Sequence, residues 1–493
     1  MQSFKIIKLN SSRRDLIKQL VAIGAVAASG LIPTTFVNAA NNNKSKTSLT
    51  SNSTWKDDDN YEALRKASNW QINTPARYPD VIVQAQSEEE IQAAIQFATK
   101  NDLQIVCRSS GHNSAGAVLR NGGMLLDISA MTEITVDTSQ MTARVQPGVK
   151  MYSFYQTLAE QDLIFPVADC HSVAMGGYLL GGGFSPVGYS WANGPACYSI
   201  ISADVILASG EKVLASKTQN AELYWAICGI GPGFFGVITR YHLKTYEHPK
   251  VILQSSFVYS LETLPAVMSV LNERDKSKDE RIEISIALQD QQETAGTISA
   301  VVKINAAVSG GSEAMLKARS LLLPYVESKL SSLATSKKEY EEIQFTDLMY
   351  SPDPNYRHNA DNIWTNDAMA LLAIVEHYKN RPKNSSVLMT LFHGRQRGGH
   401  RKDACYSSTG KHFLSSHLLW KKSEDDDVNN RWYAEFNKIL QAYTTSHYVN
   451  QIDNGRHPGR VSASFSEENW QQLALLRKKY DPENRFHTYL GLE

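Results

Sequence analysis

The chain has 493 residues, 42% of them hydrophobic, with Lys plus Arg and Asp plus Glu balanced at 50 each. That is long for one core, so two domains are expected, and with no net charge there is no global field to draw the chain to nucleic acid or an acidic membrane. The expected partner is a small molecule. Cysteines at 107, 170, 197, 228 and 405 are too scattered for a disulfide scaffold, and their odd number leaves at least one free. His393, His400, Cys405 and His412 lack the tight pairs of structural zinc, so no metal is expected.

Residues 1–40 read as an address. Ser12-Arg13-Arg14-Asp15-Leu16-Ile17-Lys18 looks like the bacterial twin-arginine export signal, and the apolar run Leu20 to Ile32 is too short to span a membrane permanently. Val37-Asn38-Ala39-Ala40 offers a cleavage site, so the mature chain is expected in the periplasm or outside the cell. This route exports proteins that have already folded. Residues 41–60 read as a disordered linker, and the fold is expected to start near Tyr61.

Residues 61–248 then alternate between element types. Val81-Ile82-Val83 reads as a strand, and Ser87-Glu88-Glu89-Glu90 as a capping box opening a helix with Ile91, Ala94, Ile95 and Ala98 on one face. Leu103 to Cys107 and Met124 to Ile128 are short strands; Ile134 to Val136 with Ala143 to Val145, and Ala203 to Ala208 with Val213 to Ala215, are hairpins. Tyr152, Tyr155 and Leu158 give a second helix a buried stripe. The composition changes after Glu247-His248-Pro249, so a second domain is placed at 249–444. There 252–257, 281–305, Val387 to Phe392 and His412 to Trp420 read as antiparallel strands, and Glu313 to Tyr340 as a helix broken at Pro324. Arg395, Arg397, Arg401 and Lys402 read as a solvated basic loop, or alternatively as a contact for an anionic substrate. The segment 445–493 ends in a helix, Ser466 to Tyr480, and a turn at Asp481-Pro482-Glu483-Asn484. The fold class is α+β, an antiparallel-sheet domain backed by helices beside a mixed-sheet domain.

Two segments carry the chemistry. In the first, Arg108-Ser109-Ser110-Gly111-His112-Asn113 follows a strand, where amides can converge on an anion with His112 at the end of the cradle. The second runs from Cys170 to Phe184, with glycines at 176, 177, 181, 182 and 183 where a bulky ligand needs the chain close. Taken singly, the glycines could be an ordinary loop, His112 a surface imidazole and Cys170 a buried hydrophobe. A Rossmann phosphate loop fails on context, because it must open a helix and be followed by an acidic ribose ligand about 20 residues on. Pro186, Gly188 and Gly194 interrupt any helix here, and Asp204 sits in a strand-like run.

Arg108-Ser109-Ser110-Gly111-His112 resembles the Arg-Ser-Gly-Gly-His motif of the berberine bridge enzyme-like FAD-linked oxidases, in the vanillyl-alcohol oxidase superfamily. Cys170-His171-Ser172-Val173 resembles their Cys-Pro-Thr-Val segment. Leu223-Tyr224-Trp225-Ala226 with Gly233-Phe234-Phe235-Gly236-Val237-Ile238-Thr239 is similar to a third block. Tyr448-Val449-Asn450 with Tyr480-Asp481-Pro482-Glu483-Asn484-Arg485-Phe486 is similar to a C-terminal block, and the resemblance spans residues 70 to 490. It implies a two-domain PCMH-type FAD-binding fold, with 61–248 as the FAD domain, 249–444 as the substrate domain and 445–493 returning to the FAD domain.

The resemblance also implies chemistry. FAD would be held bicovalently, His112 bonding the 8α-methyl and Cys170 the C6 position. Arg108, Ser109, Ser110, Gly111, Asn113, Val173, Gly176, Gly177, Gly181, Gly182, Gly183 and Val237 would line the cofactor, joined by Tyr448 and Asn450. Tyr448, Asn450 and Gln451 are the candidate catalytic residues. In relatives the residue at position 173 gates oxygen, valine being open, so Val173 implies oxygen as acceptor. Relatives often carry a tyrosine base where this chain has Gln451, and Ser110, His171 and Tyr178 also depart from the pattern. An amide has no useful proton affinity, so the acceptor must be a nearby tyrosine such as Tyr448 or a residue of the second domain. The expected activity is oxidation of an alcohol, sugar or secondary-metabolite C–H. A dehydrogenase using another acceptor, or a silent flavin- or ligand-binding protein, is the alternative.

Overall fold

The computed structural model describes residues 49, 52–185, 194–248, 252–274, 282–290, 298–307, 328–334, 355–393, 400–408 and 410–492. The twin-arginine segment, most of the expected linker, Pro186, Gly188, Arg395, Arg397, and residues 313–327 and 335–340 of the expected broken helix lie outside the described residues.

The first sheet contains β1 (Ser53–Trp55), β2 (Val81–Gln84), β3 (Ile105–Arg108) and β4 (Met124–Asp127), in the order β1-β2-β4-β3. Both β2 and β3 run parallel to β4, while β1 is antiparallel to β2. β1 begins inside the stretch expected to be a linker, so the fold starts before Tyr61. Thr54 is buried and Trp55 packs edge-on to Phe97 at 6.0 Å; a β-branched and an aromatic residue dock on an open sheet edge despite polar neighbours. Helix Glu88–Lys100 covers this sheet with Ile91, Ala94, Ile95 and Ala98 all buried. Ser87 caps the helix as the sequence suggests, while the returning Glu90 carboxylate reaches one residue past the cap, to Gln86. Ser87 Oγ accepts from the Glu90 N–H at 3.3 Å, and the Glu90 carboxylate accepts from the Gln86 N–H at 2.7 Å.

The second sheet is built from β5 (Ile134–Asp137), β6 (Thr142–Val145), β8 (Ile200–Leu207), β9 (Lys212–Ser216) and β10 (Gly236–Lys244), in the order β5-β6-β10-β8-β9. Both expected hairpins form. A small ribbon pairs β7 (Leu163–Ile164) with β11 (Tyr246–Glu247).

Among the described residues the third sheet has seven antiparallel strands: β12 (Ile252–Ser260), β13 (Ile282–Asp290), β14 (Ile298–Ala307), β15 (Ser328–Ala334), β16 (Arg357–Thr365), β17 (Ser385–His393) and β18 (His412–Trp420). Their order is β15-β12-β14-β13-β17-β18-β16. β15 corrects the expected helix over 313–340. Ser328–Ala334 pairs along Ile252–Val258 as an edge strand, since cross-strand pairing outweighs a weak helical periodicity. The two faces of this sheet have different neighbours. Leu414, Leu418 and Trp420 pack with Tyr433 and Phe436 of helix Asp426–Gln441, and the alternation of a strand turns Phe413, Ser415 and His417 the other way.

The C-terminal segment returns to the first sheet. The Ile105 N–H donates to the Arg485 carbonyl at 2.7 Å, the Ile105 carbonyl accepts from the His487 N–H at 2.9 Å, and Arg477 at the end of helix Glu467–Tyr480 donates to the Gly233 carbonyl at 2.6 Å. No helix among the described residues is long and apolar enough to cross a membrane.

Candidate active site

A cavity of 360 Å³ opens between the loops that follow β3 and β7 and the free face of the third sheet. Its wall takes Ser109 to Ser114 from the first loop, parts of 168–180 from the second, His358 and Ala360 from β16, and Phe413, Ser415 and His417 from β18. Tyr448, Asn450 and Gln451 close one side.

The two predicted anchors converge. The Nε2 of His112 lies 2.9 Å from Ser172 Oγ, and Cys170 Sγ lies 3.6 Å from the same oxygen. Burial, reinforced by the charges of Lys150 and Arg108, pushes the imidazole down to about 3, so His112 is neutral. Its ring stacks on Trp70 with centroids 4.8 Å apart. Burial raises the Cys170 thiol, opposed by hydrogen bonds from Ser172. The adjacent Asp169, also on the wall, has its carboxyl pushed up to about 7 by burial.

Other predicted residues serve the cradle's frame. Arg108 is off the wall, paired with Asp127 at 2.7 Å and donating to the Ser68 carbonyl at 3.1 Å. Ser109 Oγ accepts from the Gly177 N–H at 3.4 Å, and Ser110 Oγ from the Ala174 N–H at 3.2 Å, so these hydroxyls tie one loop to the other. Gly111 has φ +71°, and a Cβ there would stand 2.1 Å from the Ser68 carbonyl oxygen, which only glycine avoids. Asn113 donates to the Asn450 carbonyl at 3.1 Å. Val173 is on the wall.

The glycines divide into two groups. Gly176 and Gly177 line the cavity, in a short helix, Met175–Leu180, that the sequence reading did not foresee. A Cβ on Gly177 would meet nothing within 4 Å, so its face is open. Gly181, Gly182 and Gly183 are not brought to the wall. They make room instead for Asn450, Tyr406 and the Tyr178–Ala196 contact, where a Cβ would come within 2.1, 2.5 and 2.7 Å. Val237 is also off the wall, buried on β10 among Val81, Val83 and Ile95.

On the far side, Tyr448 accepts at its hydroxyl from the Asn450 amide at 3.2 Å, and the same amide donates to the Gly177 carbonyl at 2.8 Å. Burial pushes the Tyr448 phenol up to about 12. Gln451 donates from Nε2 to Ser415 Oγ at 3.0 Å and stands 3.0 Å from Nε2 of His417. Nδ1 of His417 is 3.0 Å from Nε2 of His358. The sequence reading missed Trp70, Asp169, His358, Ser415 and His417. For the strand residues a signal existed, the alternation His358/Ala360 and Phe413/Ser415/His417, but nothing in it says which face meets a cavity. Arg401 is bound to Asp403 at 2.8 Å and to the Tyr198 carbonyl at 2.9 Å, away from the wall.

Two nucleophilic side chains on one hydroxyl, an open glycine face and an apolar wall fit a flat redox cofactor. A mixed-sheet lobe and an antiparallel lobe share that cavity, an arrangement that fits the class of cofactor-dependent enzymes. The comparisons make it specific. Residues 79–216 match the FAD binding domain family. The FAD-linked oxidoreductase penO of Penicillium crustosum is 25% identical over 441 residues, covering 87% of this chain and 94% of that protein. Solved structures share the fold, among them the two that follow. For 6-hydroxy-D-nicotine oxidase from Arthrobacter nicotinovorans the TM-score is 0.78 at 21% identity, covering 90% of this chain and 98% of that one. For BBE-like 1 of Physcomitrella patens it is 0.74 at 17% identity, covering 88% and 95%. The chain is an FAD-dependent oxidoreductase, similar to FAD-linked oxidoreductases, and its PCMH-type fold is shared with the berberine bridge enzyme-like structure.

Proposed function

We propose that this enzyme oxidises an uncharged hydroxyl compound, an alcohol, a sugar or a secondary metabolite, with FAD held bicovalently by His112 and Cys170 and with oxygen as the electron acceptor. The observation that carries the attachment is the Ser172 hydroxyl, which touches both anchors although they lie far apart in sequence. When bound, FAD supplies the sink for a hydride from a substrate C–H. Ser109, Ser110, Gly176 and Gly177 would hold it, and Asn450 would brace the cavity's other side.

The make-up of the sheet face supports an uncharged substrate. The sheet face turned to the cavity presents His358, Thr390, Ser415 and His417 with the aromatic ring of Phe413; among the described residues it offers no carboxylate or cation. A charged substrate buried there would go unpaired, at a cost of several kcal/mol. Val173 beside Cys170 supports oxygen as the acceptor, through the resemblance to relatives in which valine leaves the ring open. The twin-arginine stretch supports export of the folded, loaded enzyme, and replacing Arg13 and Arg14 by lysine should then leave precursor in the cytoplasm. The test of the reaction is an anaerobic screen of alcohols and sugars against the yellow protein. Bleaching by an uncharged hydroxyl compound is expected, and bleaching only by carboxylates or amines would refute the reading.

A further inference from the structure

The substrate wall carries a polar cluster to which the reading above gives no task. His417 lies between three partners, with His358 at its Nδ1 and both Ser415 and Gln451 at its Nε2, each 3.0 Å away. The two imidazoles are coplanar within 3°, as an in-plane N–H to N hydrogen bond requires. An amide N–H can only donate, so with the Gln451 nitrogen facing it Nε2 of His417 is the accepting, lone-pair nitrogen. The ring's own proton is then on Nδ1, donated to His358.

We propose that His417 is the catalytic proton acceptor, taking the hydroxyl proton of the substrate at Nε2, with His358 and Gln451 as positioning residues. This rests on the hydroxyl-substrate reading and gives it a base. In the step, the substrate O–H bond breaks, its electron pair stays on oxygen, and an N–H bond forms at Nε2. The resulting imidazolium donates from both nitrogens, from Nδ1 to His358 and from Nε2 to the substrate oxygen. Once product leaves, a half-turn of the Gln451 amide presents its oxygen to the new N–H until that proton passes to solvent water, which returns His417 to its neutral form. A carboxamide can donate to the neutral ring and accept from the charged one, which gives Gln451 a function without proton affinity of its own.

The rival groups are less apt. Burial keeps Tyr448 a protonated phenol, its pKa pushed up to about 12. Asp169, the one carboxylate among the described lining residues, adjoins Cys170 and not the sheet face. Burial holds His417 uncharged, its pKa pushed down to about 4, so at neutral pH Nε2 carries no proton and its lone pair, held by the Gln451 amide, becomes available when the substrate hydroxyl displaces that contact.

The test uses the holoenzyme and a hydroxyl compound that bleaches it anaerobically. His417→Gly should bleach about 10²–10⁴-fold more slowly, the usual contribution of a positioned base, while its flavin content stays at the wild-type level. Added imidazole should restore part of the rate to His417→Gly and leave the wild type unchanged; a merely structural histidine would show no such rescue. His417→Gln guards against a folding defect of the glycine variant and should be as slow without being rescued. Nitrogen NMR of histidine-labelled wild type, with and without flavin, should show His417 neutral at pH 7 with its proton on Nδ1. Wild-type rates in both variants, a charged His417 at pH 7, or an imidazole-rescuable loss in Asp169→Gly instead would overturn the proposal alone. If no hydroxyl compound bleaches the wild type, the substrate reading falls and this inference falls with it.

Discussion

The two walls of the cavity are made in opposite ways. The cofactor wall is local. Ser109 to Asn113 and Cys170 to Gly177 are short consecutive runs whose hydroxyls, glycines and nucleophiles declare themselves residue by residue. The substrate wall is assembled from every second residue of β16 and β18 and from Gln451, which chain order keeps apart and only strand register unites: Ala360 lies opposite His417, and Asn362 opposite Ser415. A wall built from loops can therefore be read as motifs, whereas a wall built from a sheet face becomes legible only once the register is known.

The substrate wall is most vulnerable at its support. Asp361 lies on β16 between the two cavity-facing residues His358 and Ala360 on one side and Asn362 on the other, buried and ion-paired with Arg460. Arg460→Ala would leave a buried carboxylate without its counter-charge, and a loss of about 3–5 kcal/mol is expected, measured as a lower urea midpoint of the apoprotein.

The glycines sharpen the contrast on the other wall. Gly181→Ala places a methyl where the Asn450 amide now stands, and overpacking of this kind should destabilise the protein by about 1–3 kcal/mol. Gly177→Ala should do the reverse. Its new methyl meets only the cavity, so apoprotein stability should rise by about 0.5–1 kcal/mol, the helical gain of alanine over glycine, while flavin loading falls. Equal thermal shifts in the two variants would show that both glycines serve the same purpose.

These glycines also show the limit of reading the chain alone. All five were expected to approach the cofactor, yet Gly181 to Gly183 admit Asn450, Tyr406 and Tyr178, side chains whose arrival no local pattern announces. Helix capping at Ser87, both hairpins and the strand His412–Trp420 were legible because periodicity and turn chemistry determine them within a few residues. The edge strand Ser328–Ala334 and β1 were not, because each depends on the strand it pairs with, β12 or β2. His417 was hidden for the same reason.

Smaller effects follow. Val173→Leu should slow reoxidation by oxygen about tenfold, which corresponds to about 1.4 kcal/mol of barrier, and spare reduction of an artificial dye; equal oxygen rates would remove the case for oxygen as acceptor. The buried histidines predict a direction with pH. His112 is pushed down to about 3, and His417 and His447 to about 4, from an ordinary value of 6.5. Between pH 6.5 and 4 the unfolded chain binds protons that the folded chain refuses, so stability should fall as the pH is lowered through that window. Bleaching that needs neutral His417 should hold through neutral pH and fail only as pH approaches 4.

His112 and Cys170 are expected to converge upon one cofactor. The direct measurement is the flavin mass retained on acid-denatured protein from wild type, His112→Ala, Cys170→Ala and the double variant. Retention in the wild type and in both single variants, with complete release only in the double variant, is the expected result. Release of all flavin by His112→Ala alone, with Cys170→Ala indistinguishable from wild type in spectrum and mass, would contradict it.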